Sequence, residues 1–423
     1  MIPLAIVGCG GMGHRHLFGL AELKEAGWTP FELIAVCDPV RSNAESLAAE
    51  AERLLGKRPV LAEGLGELKQ LGVEAIDITT TPRFHHALAV EALGLGLHMM
   101  VEKPFGLTVR ACNAILRAAQ ESNSVVAVAE NYRRDPINRL ARALLDAGAI
   151  GRPRFAIQQT MGGGDQMLIS VWRHQKTQSG VLIDVGVHYT DMLEYLLGPI
   201  TSVYAQTRLH EPIRYNPAAN DAEGMRQGAT SNPGGVYGRW QKQMPASFEA
   251  TADDAAYATF NFASGVVAHY IEDHACHGQP RWSREIHGSS GSLILPDDRT
   301  GNPIRLQRGS DVLLEGAQLL ELVPEFELDD VTAALFGGKR LGSYNFSFNE
   351  IDRKLLAIEY ADFSDSLSQG RAPEVDGLQG TRAVAAAYGM LESSIVQRPV
   401  SMDEMLNEAV DSYQQEINIS LGL

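Results

Sequence analysis

Residues 4–38 constrain this chain more than any other stretch. A short apolar run, Leu4-Ala5-Ile6-Val7, turns through Gly8-Cys9-Gly10-Gly11-Met12-Gly13 into a segment with helical patterning. A second apolar run, Leu33-Ile34-Ala35-Val36-Cys37, ends at Asp38. Strand, glycine turn, helix, strand and acid follow one another as a bound dinucleotide requires. Gly8 permits the tight turn, Gly10 lets backbone approach a pyrophosphate, and Gly13 lets helix pack on strand. The helix N-terminus, with Gly11 and Met12 beside it, offers N–H groups and a positive dipole end to phosphates. Asp38 is placed to accept hydrogen bonds from the adenosine ribose. A 2′-phosphate would meet repulsion from that carboxylate unless Arg41 compensates, so NAD is expected over NADP.

The alternation continues through the first third. Helical patterns at 42–55, 84–94 and 109–122 separate apolar runs at 75–79, 98–101 and 125–129. This predicts a doubly wound parallel sheet, a Rossmann domain over 1–130, with ligands at the carboxyl ends of its strands. Those ends carry the glycine turn, Asp38, Thr80-Thr81-Pro82, Lys103 and Asn131. From about residue 130 the pattern changes. Helices are predicted at 136–147 and 184–197, and strands at 154–161, 203–209, 284–286 and 292–295. A hairpin is predicted over 257–271, turning at Gly265. This describes a C-terminal α+β domain over 131–423 with a large, mostly antiparallel open sheet. Residues 210–247, rich in Pro, Gly, Asn and Gln, read as a loop insertion: a lid, an oligomer arm or an ordinary surface excursion. Helices at 355–367 and 381–394 are expected to pack back on the core.

Bulk properties narrow the class. A length of 423 residues suits two domains, and 45% hydrophobic residues supply sizeable cores. The formal net charge of −16 argues against nucleic acid and anionic membrane as partners, since both favour basic faces. Cys9, Cys37, Cys112 and Cys276 stand far apart with no CxxC pair, which suits buried thiols in a reducing compartment. The first strand begins next to Met1, leaving no room for a signal peptide, and no apolar run approaches the ~18 residues of a membrane span. A cytoplasmic protein is expected.

Two places carry chemistry. Lys103 follows a strand end, and Pro104 restricts it to extended backbone. A cationic amine there can polarise a substrate oxygen as hydride moves. Asp184 and His188, four apart, would share one face of a helix. Acid plus imidazole is a means of moving a hydroxyl proton near neutral pH. A histidine satisfied inside a core helix is the alternative. Residues 269–277 (His269-Tyr270-Ile271-Glu272-Asp273-His274-Ala275-Cys276-His277) hold metal-ligand types. Strand alternation splits them between two faces. No metal is therefore expected, and one or two of these side chains are expected to line a pocket.

Taken together, the glycine turn with His16, Thr81-Pro82 followed by His86, Gly96-Leu97-His98 leading into Glu102-Lys103-Pro104, Gly148-Ala149-Ile150-Gly151, Trp172-Arg173, the Gly180…Asp184…Gly186…His188 stretch and Gly288…Gly291-Ser292-Leu293 form an ordered series over about 300 residues. In this the chain resembles the Gfo/Idh/MocA oxidoreductases, the glucose–fructose oxidoreductase and inositol dehydrogenase superfamily. The resemblance implies hydride transfer from a secondary hydroxyl of a sugar, glycoside or cyclitol to NAD. It also implies that His188 takes the hydroxyl proton, that Lys103 hydrogen-bonds the reacting oxygen, and that Asp184 orients His188 or binds a neighbouring hydroxyl. Gly8, Gly10, Gly11, Met12, Gly13, Asp38, Thr80, Thr81, Pro82, His86, Glu102, Lys103 and Asn131 are the cofactor candidates. Tyr132, Arg133, Trp172 and Arg173 join Lys103, Asp184 and His188 as substrate candidates. An alternative within the resemblance is an NAD-retaining glycosidase that oxidises its sugar transiently, eliminates the aglycone, adds water and reduces back. A homodimer or homotetramer through the open sheet face is the family expectation.

Overall fold

A computed structural model describes residues 1–220, 231–310 and 312–423. The chain divides into two compact units: Met1–Asn131 with Asn349–Thr381, and Tyr132–Phe348 with Arg382–Leu423.

The first unit is built on six parallel strands, β1 (Ile2–Val7), β2 (Phe31–Cys37), β3 (Val60–Ala62), β4 (Ala75–Ile78), β5 (His98–Glu102) and β6 (Val126–Ala129). They are ordered β3-β2-β1-β4-β5-β6, the doubly wound arrangement. Helical crossovers cover both faces, so these strands are apolar without alternation. Leu4, Ala5, Ile6, Ile76, Ile78, Met99 and Val101 are all fully buried. The direction of winding reverses between β1 and β4. That opens a crevice at their carboxyl ends, where dinucleotides sit in such sheets.

A segment from far down the sequence completes this unit. The helix Phe348–Gln369 lies against the helix Gly11–Glu25, and Gly19 allows the close approach: a Cβ there would stand 2.6 Å from the Leu356 Cβ. The buried Arg15 guanidinium forks onto the Asp352 carboxylate, and Lys354 Nζ donates to Glu22 Oε1 at 2.7 Å. Phe363 stacks on Phe31 with centroids 5.6 Å apart, and Tyr360 meets Phe31 edge-on at 5.9 Å. Each such aromatic pair contributes about 0.5–1.5 kcal/mol beyond the area it buries.

The second unit carries β7 (Pro153–Gly163), β8 (Ile200–Arg208), β9 (Ile213–Tyr215), β10 (Ser247–Glu249), β11 (Ala255–Phe262), β12 (Val267–Cys276), β13 (Arg281–Gly288), β14 (Ser292–Leu295), β15 (Arg305–Arg308), β16 (Val312–Glu315) and β17 (Val400–Ser401). Nine of them form one sheet in the order β16-β15-β14-β13-β7-β12-β11-β8-β17. Only β7 and β12 pair in parallel; the other neighbours are antiparallel. Alternation is clear on β11, where Ala258, Phe260 and Phe262 are buried and Tyr257 and Asn261 are exposed. The sheet is thus covered on one face. The helix Gly186–Leu197 packs on the buried face, with Tyr189 edge-on to Tyr270 at 6.3 Å.

Two local expectations are corrected. The helix expected over 184–197 is broken: a single turn, Val181–Asp184, ends at Val185, and a new helix starts at Gly186. The sheet packs closely here: a Cβ on Gly186 would stand 3.0 Å from Glu272 Oε2. The stretch 210–247 is not loop throughout. β9 pairs antiparallel with β10, a short helix spans Gly238–Gln241, and the fully buried Arg214 pairs with Asp254 at 2.7 Å. Residues 221–230 of that stretch lie outside the described residues.

Candidate active site

In the first unit the glycine turn divides its tasks as the sequence suggests. Gly8 has φ +102°, and a Cβ there would stand 2.7 Å from the Thr80 nitrogen. A Cβ on Gly13 would stand 2.3 Å from the Gly8 carbonyl oxygen. These two positions need glycine for the protein's own packing. Gly10, the N-cap of the helix Gly11–Glu25, has nothing within 4 Å of a Cβ and no side chain to cap the helix. Backbone N–H groups and a positive dipole end therefore stand where bulk is absent.

Asp38 is tied into this turn. Its Oδ2 accepts from the Cys9 N–H and its Oδ1 from the Val40 N–H, both at 2.7 Å. A carboxylate offers about four acceptor positions, so capacity remains for ribose hydroxyls. Thr79 Oγ1 donates to the Gly8 carbonyl at 2.6 Å, fixing the turn to the end of β4. Thr80 and Thr81 follow, and Pro82 is buried at the start of a short helix. The buried His85 lies between the Thr80 and Pro104 carbonyls, at 3.1 and 2.9 Å. Burial pushes its imidazole down, against the two carbonyls, which push it up.

Beneath the turn sits a charged cluster that the sequence did not announce. His16 is fully buried, with Nδ1 2.8 Å from Asp77 Oδ2 and Nε2 3.0 Å from Glu102 Oε1. Tyr360 also donates to Asp77 Oδ2. Burial alone would push the imidazole down, but the Asp77 charge and hydrogen bonds to both carboxylates hold it well above its usual value. Glu102 likewise resists burial: the His16 hydrogen bond and charge hold it below the usual carboxylate range. An imidazolium is thus clamped between two carboxylates. Glu102, a cofactor candidate by sequence, has its carboxylate on His16. Its neighbour Lys103 is half-buried, and the Lys103–Pro104 peptide is cis.

Among the described residues, the buried polar atoms of this unit without a hydrogen-bond partner include His86 Nδ1 and Asn131 Oδ1. Such atoms are costly unless a ligand satisfies them. With the open Gly10 backbone and the Asp38 carboxylate, they fit a dinucleotide.

In the second unit the arginine candidates are bound to buried acids. Arg133 forks onto Asp191, with Nε donating to Oδ2 at 2.9 Å. Arg173 Nε donates to Asp184 Oδ2 and its Nη1 to Ser170 Oγ, each at 2.7 Å. The Arg173 guanidinium lies 4.1 Å from the centre of the Trp172 ring. His188 is 8% exposed and stacks on Tyr132, with centroids 4.1 Å apart and planes within 1°. Of residues 269–277, Glu272 is fully buried on β12, accepting from Tyr270 and lying 2.7 Å from His274 Nε2. Among the described residues, no group of three or more His, Cys, Asp or Glu side chains is arranged to hold a metal ion.

A six-stranded doubly wound unit with a glycine turn and closing acid, joined in one chain to a unit with a large one-sided sheet, is the build of a dinucleotide-dependent oxidoreductase. Comparison with known proteins is specific. The model described as "Oxidoreductase family, NAD-binding Rossmann fold" matches residues 2–130, and "GFO/IDH/MocA C-terminal domain" matches 138–294. Together they take in more than half of the chain, which belongs to the Gfo/Idh/MocA family and is an NAD-binding oxidoreductase. Levoglucosan dehydrogenase of Pseudarthrobacter phenanthrenivorans is 29% identical over 305 residues, 70% of this chain and 74% of that protein. The scyllo-inositol 2-dehydrogenase (NAD(+)) of Bacillus subtilis is 29% identical over 209 residues, 49% of this chain and 58% of that protein. A solved levoglucosan dehydrogenase in complex with NADH and L-sorbose superposes with a TM-score of 0.72 at 21% identity, over 96% of this chain and 100% of that one; it shows the shared fold.

Proposed function

We propose that this chain oxidises a secondary hydroxyl of a sugar, glycoside or cyclitol and passes the hydride to NAD. The observation that carries this reading is His188: a nearly buried imidazole, held flat against Tyr132, in a chain whose other unit is built for NAD. His188 accepts the hydroxyl proton. Lys103 donates a hydrogen bond to the reacting oxygen and stabilises its developing negative charge. Asp184, gripped by Arg173, binds a neighbouring hydroxyl or orients the imidazole. Thr80, Thr81, Pro82, His86 and Asn131, with the glycine turn and Asp38, hold the dinucleotide. When bound, NAD supplies the hydride acceptor. The levoglucosan and scyllo-inositol enzymes are dehydrogenases by name, and no observation favours the redox-cycling glycosidase. No helix among the described residues is long and apolar enough to cross a membrane. We assign the protein to the cytoplasm, as a homodimer or homotetramer, to be checked by light scattering.

The test is a panel containing levoglucosan, scyllo-inositol and methyl glucosides, with NAD and purified protein. NADH formation with at least one member is expected, falling about 10²–10⁴-fold in Lys103→Ala and His188→Ala. Silence across the panel, or full turnover in His188→Ala, sinks the proposal.

A further inference from the structure

The stack on His188 continues outward to a residue that neither the mechanism nor the sequence motifs use. Arg299 lies between β14 and β15. Its guanidinium carbon stands 4.9 Å from the centre of the Tyr132 ring, and Nη2 donates to the Tyr132 hydroxyl at 3.3 Å. The same guanidinium lies 4.6 Å from the centre of the Phe348 ring. Arg299 has φ +60°, a left-handed backbone that side-chain-bearing residues seldom adopt. Such a conformation persists where its surroundings impose it, and it gathers at functional sites. The surroundings here are explicit. The preceding Asp298 accepts a two-pronged bond from the fully buried Arg284 at 2.8 and 2.9 Å. Asp298 Oδ1 also accepts from Asn138 Nδ2 at 3.1 Å, and the same Asn138 Nδ2 donates to the Tyr132 carbonyl at 2.9 Å. The Asp298 carboxylate thus ties Asn138, which holds the Tyr132 carbonyl, to the residue that immediately precedes Arg299.

We propose that Tyr132 and Arg299 are positioning residues for His188: the Tyr132 ring sets the plane of the imidazole, and Arg299 fixes that ring. An imidazole nitrogen exchanges its proton in the plane of its ring. Two parallel rings 4.1 Å apart permit sliding but oppose tilting. Holding the plane therefore holds the direction of proton transfer, to which rates are steeply sensitive. Arg299 acts at one remove: it touches the phenol from its hydroxyl and its ring, so its loss frees Tyr132 to rotate. This inference rests on the role proposed for His188.

Two measurements test it. The first needs no substrate. In isotope-labelled protein, the His188 ring resonance, assigned by its disappearance in His188→Gln, is expected at high field because it lies over the phenol face. It moves downfield in Tyr132→Leu, stays in Tyr132→Phe, and broadens or moves part of the way in Arg299→Met. A resonance that does not move in Tyr132→Leu overturns the proposal. The second uses the best-turned-over sugar of the panel. Tyr132→Leu and Arg299→Met lower kcat by at least roughly tenfold with the KM for NAD unchanged, and Tyr132→Phe restores kcat to within about threefold. A rise in sugar KM alone reduces Tyr132 to a substrate contact and overturns positioning. Failure of the underlying reading looks different: His188→Gln then keeps its turnover whatever the two positioning variants do.

Discussion

His16 is the most informative residue to remove. Replacing it by leucine leaves Asp77 and Glu102 buried without the cation between them. Asp77 Oδ1 already lacks a hydrogen-bond partner among the described residues, which leaves this carboxylate the Tyr360 hydroxyl on Oδ2. Removing one member of a buried charged set costs about 3–5 kcal/mol, because the penalty is that of the stranded charge. At ~2–4 °C per kcal/mol for a unit of this size, the melting temperature falls by on the order of 10 °C. The pH dependence has a definite sign. The folded pKa of His16 is raised above 6.5, so its contribution is complete below that value and fades as pH rises through the raised pKa. The folded pKa of Glu102 is lowered below 4.5, so its contribution is complete above that value and fades as pH falls through the lowered pKa. The gap between wild type and His16→Leu is therefore widest between about pH 4.5 and about pH 6.5 and closes toward both extremes. Calorimetry across the pH range measures it, with the first unit's transition recognised by its upward shift on adding NADH. The triple variant His16→Leu/Asp77→Asn/Glu102→Gln should recover much of the loss, since the stranded charges are gone. A gap below about 1 kcal/mol near pH 6, or one that widens steadily into alkali, would refute the clamped imidazolium.

Three further outcomes follow from the geometry. Gly10→Ala meets open space and should leave stability within about 0.5 kcal/mol of wild type while weakening NADH binding; Gly13→Ala, whose Cβ would crowd the Gly8 carbonyl at 2.3 Å, should cost about 1–3 kcal/mol, both read by melting and NADH titration. Burial pushes the Cys9 thiol far up, Cys37 up to about 11 and Cys112 up to about 12, whereas Cys276 is half-buried on β12. Iodoacetamide at neutral pH should therefore add once to the native protein, at Cys276, by mass spectrometry. Arg173→Met breaks a buried ion pair with Asp184 and should cost about 3–5 kcal/mol, most of it returned by adding Asp184→Asn; an unchanged melting temperature in the single variant would show the pair to be dispensable.

What sequence revealed and what it hid separate along physical lines. Residues 4–38 were legible because a dinucleotide turn is local: the glycines, the helix they open and the closing acid lie within one β-α-β unit. That the first unit holds a parallel, doubly wound sheet is legible in the apolar runs that alternate with helical ones, whereas the strand order is not. The close approach of Glu272 to Gly186 is not legible, because Glu272 lies far away in sequence. His16 stood in view as a motif residue, yet its partners Asp77, Glu102 and Tyr360 come from three distant elements, and no spacing rule links them. Arg133 and Arg173 are substrate candidates by sequence, and each also engages a buried acid. Those acids, Asp191 and Asp184, lie 58 and 11 residues away, so no spacing rule marks the pairs. Arg299 gave no signal at all, since a left-handed backbone at an arginine has no composition mark.

The return of Asn349–Thr381 to the first unit sets a timetable for biosynthesis. Nascent domains commonly fold in turn as they leave the ribosome. Here β1 to β6 emerge early, but Asp352, which neutralises Arg15, and Tyr360, which binds Asp77, emerge only after almost the whole second unit. Through that interval the strand at the sheet's edge also lacks its backbone partner, the bond from the Val128 N–H to the Val375 carbonyl. The NAD-binding unit is thus the first to be started, yet its chain is not complete until residue 381, after most of the second unit has been made. Stalled nascent chains should show it: protease resistance of β1–β6 should appear only once residue 381 has cleared the exit tunnel, even though the sequence that names the unit is complete by residue 131.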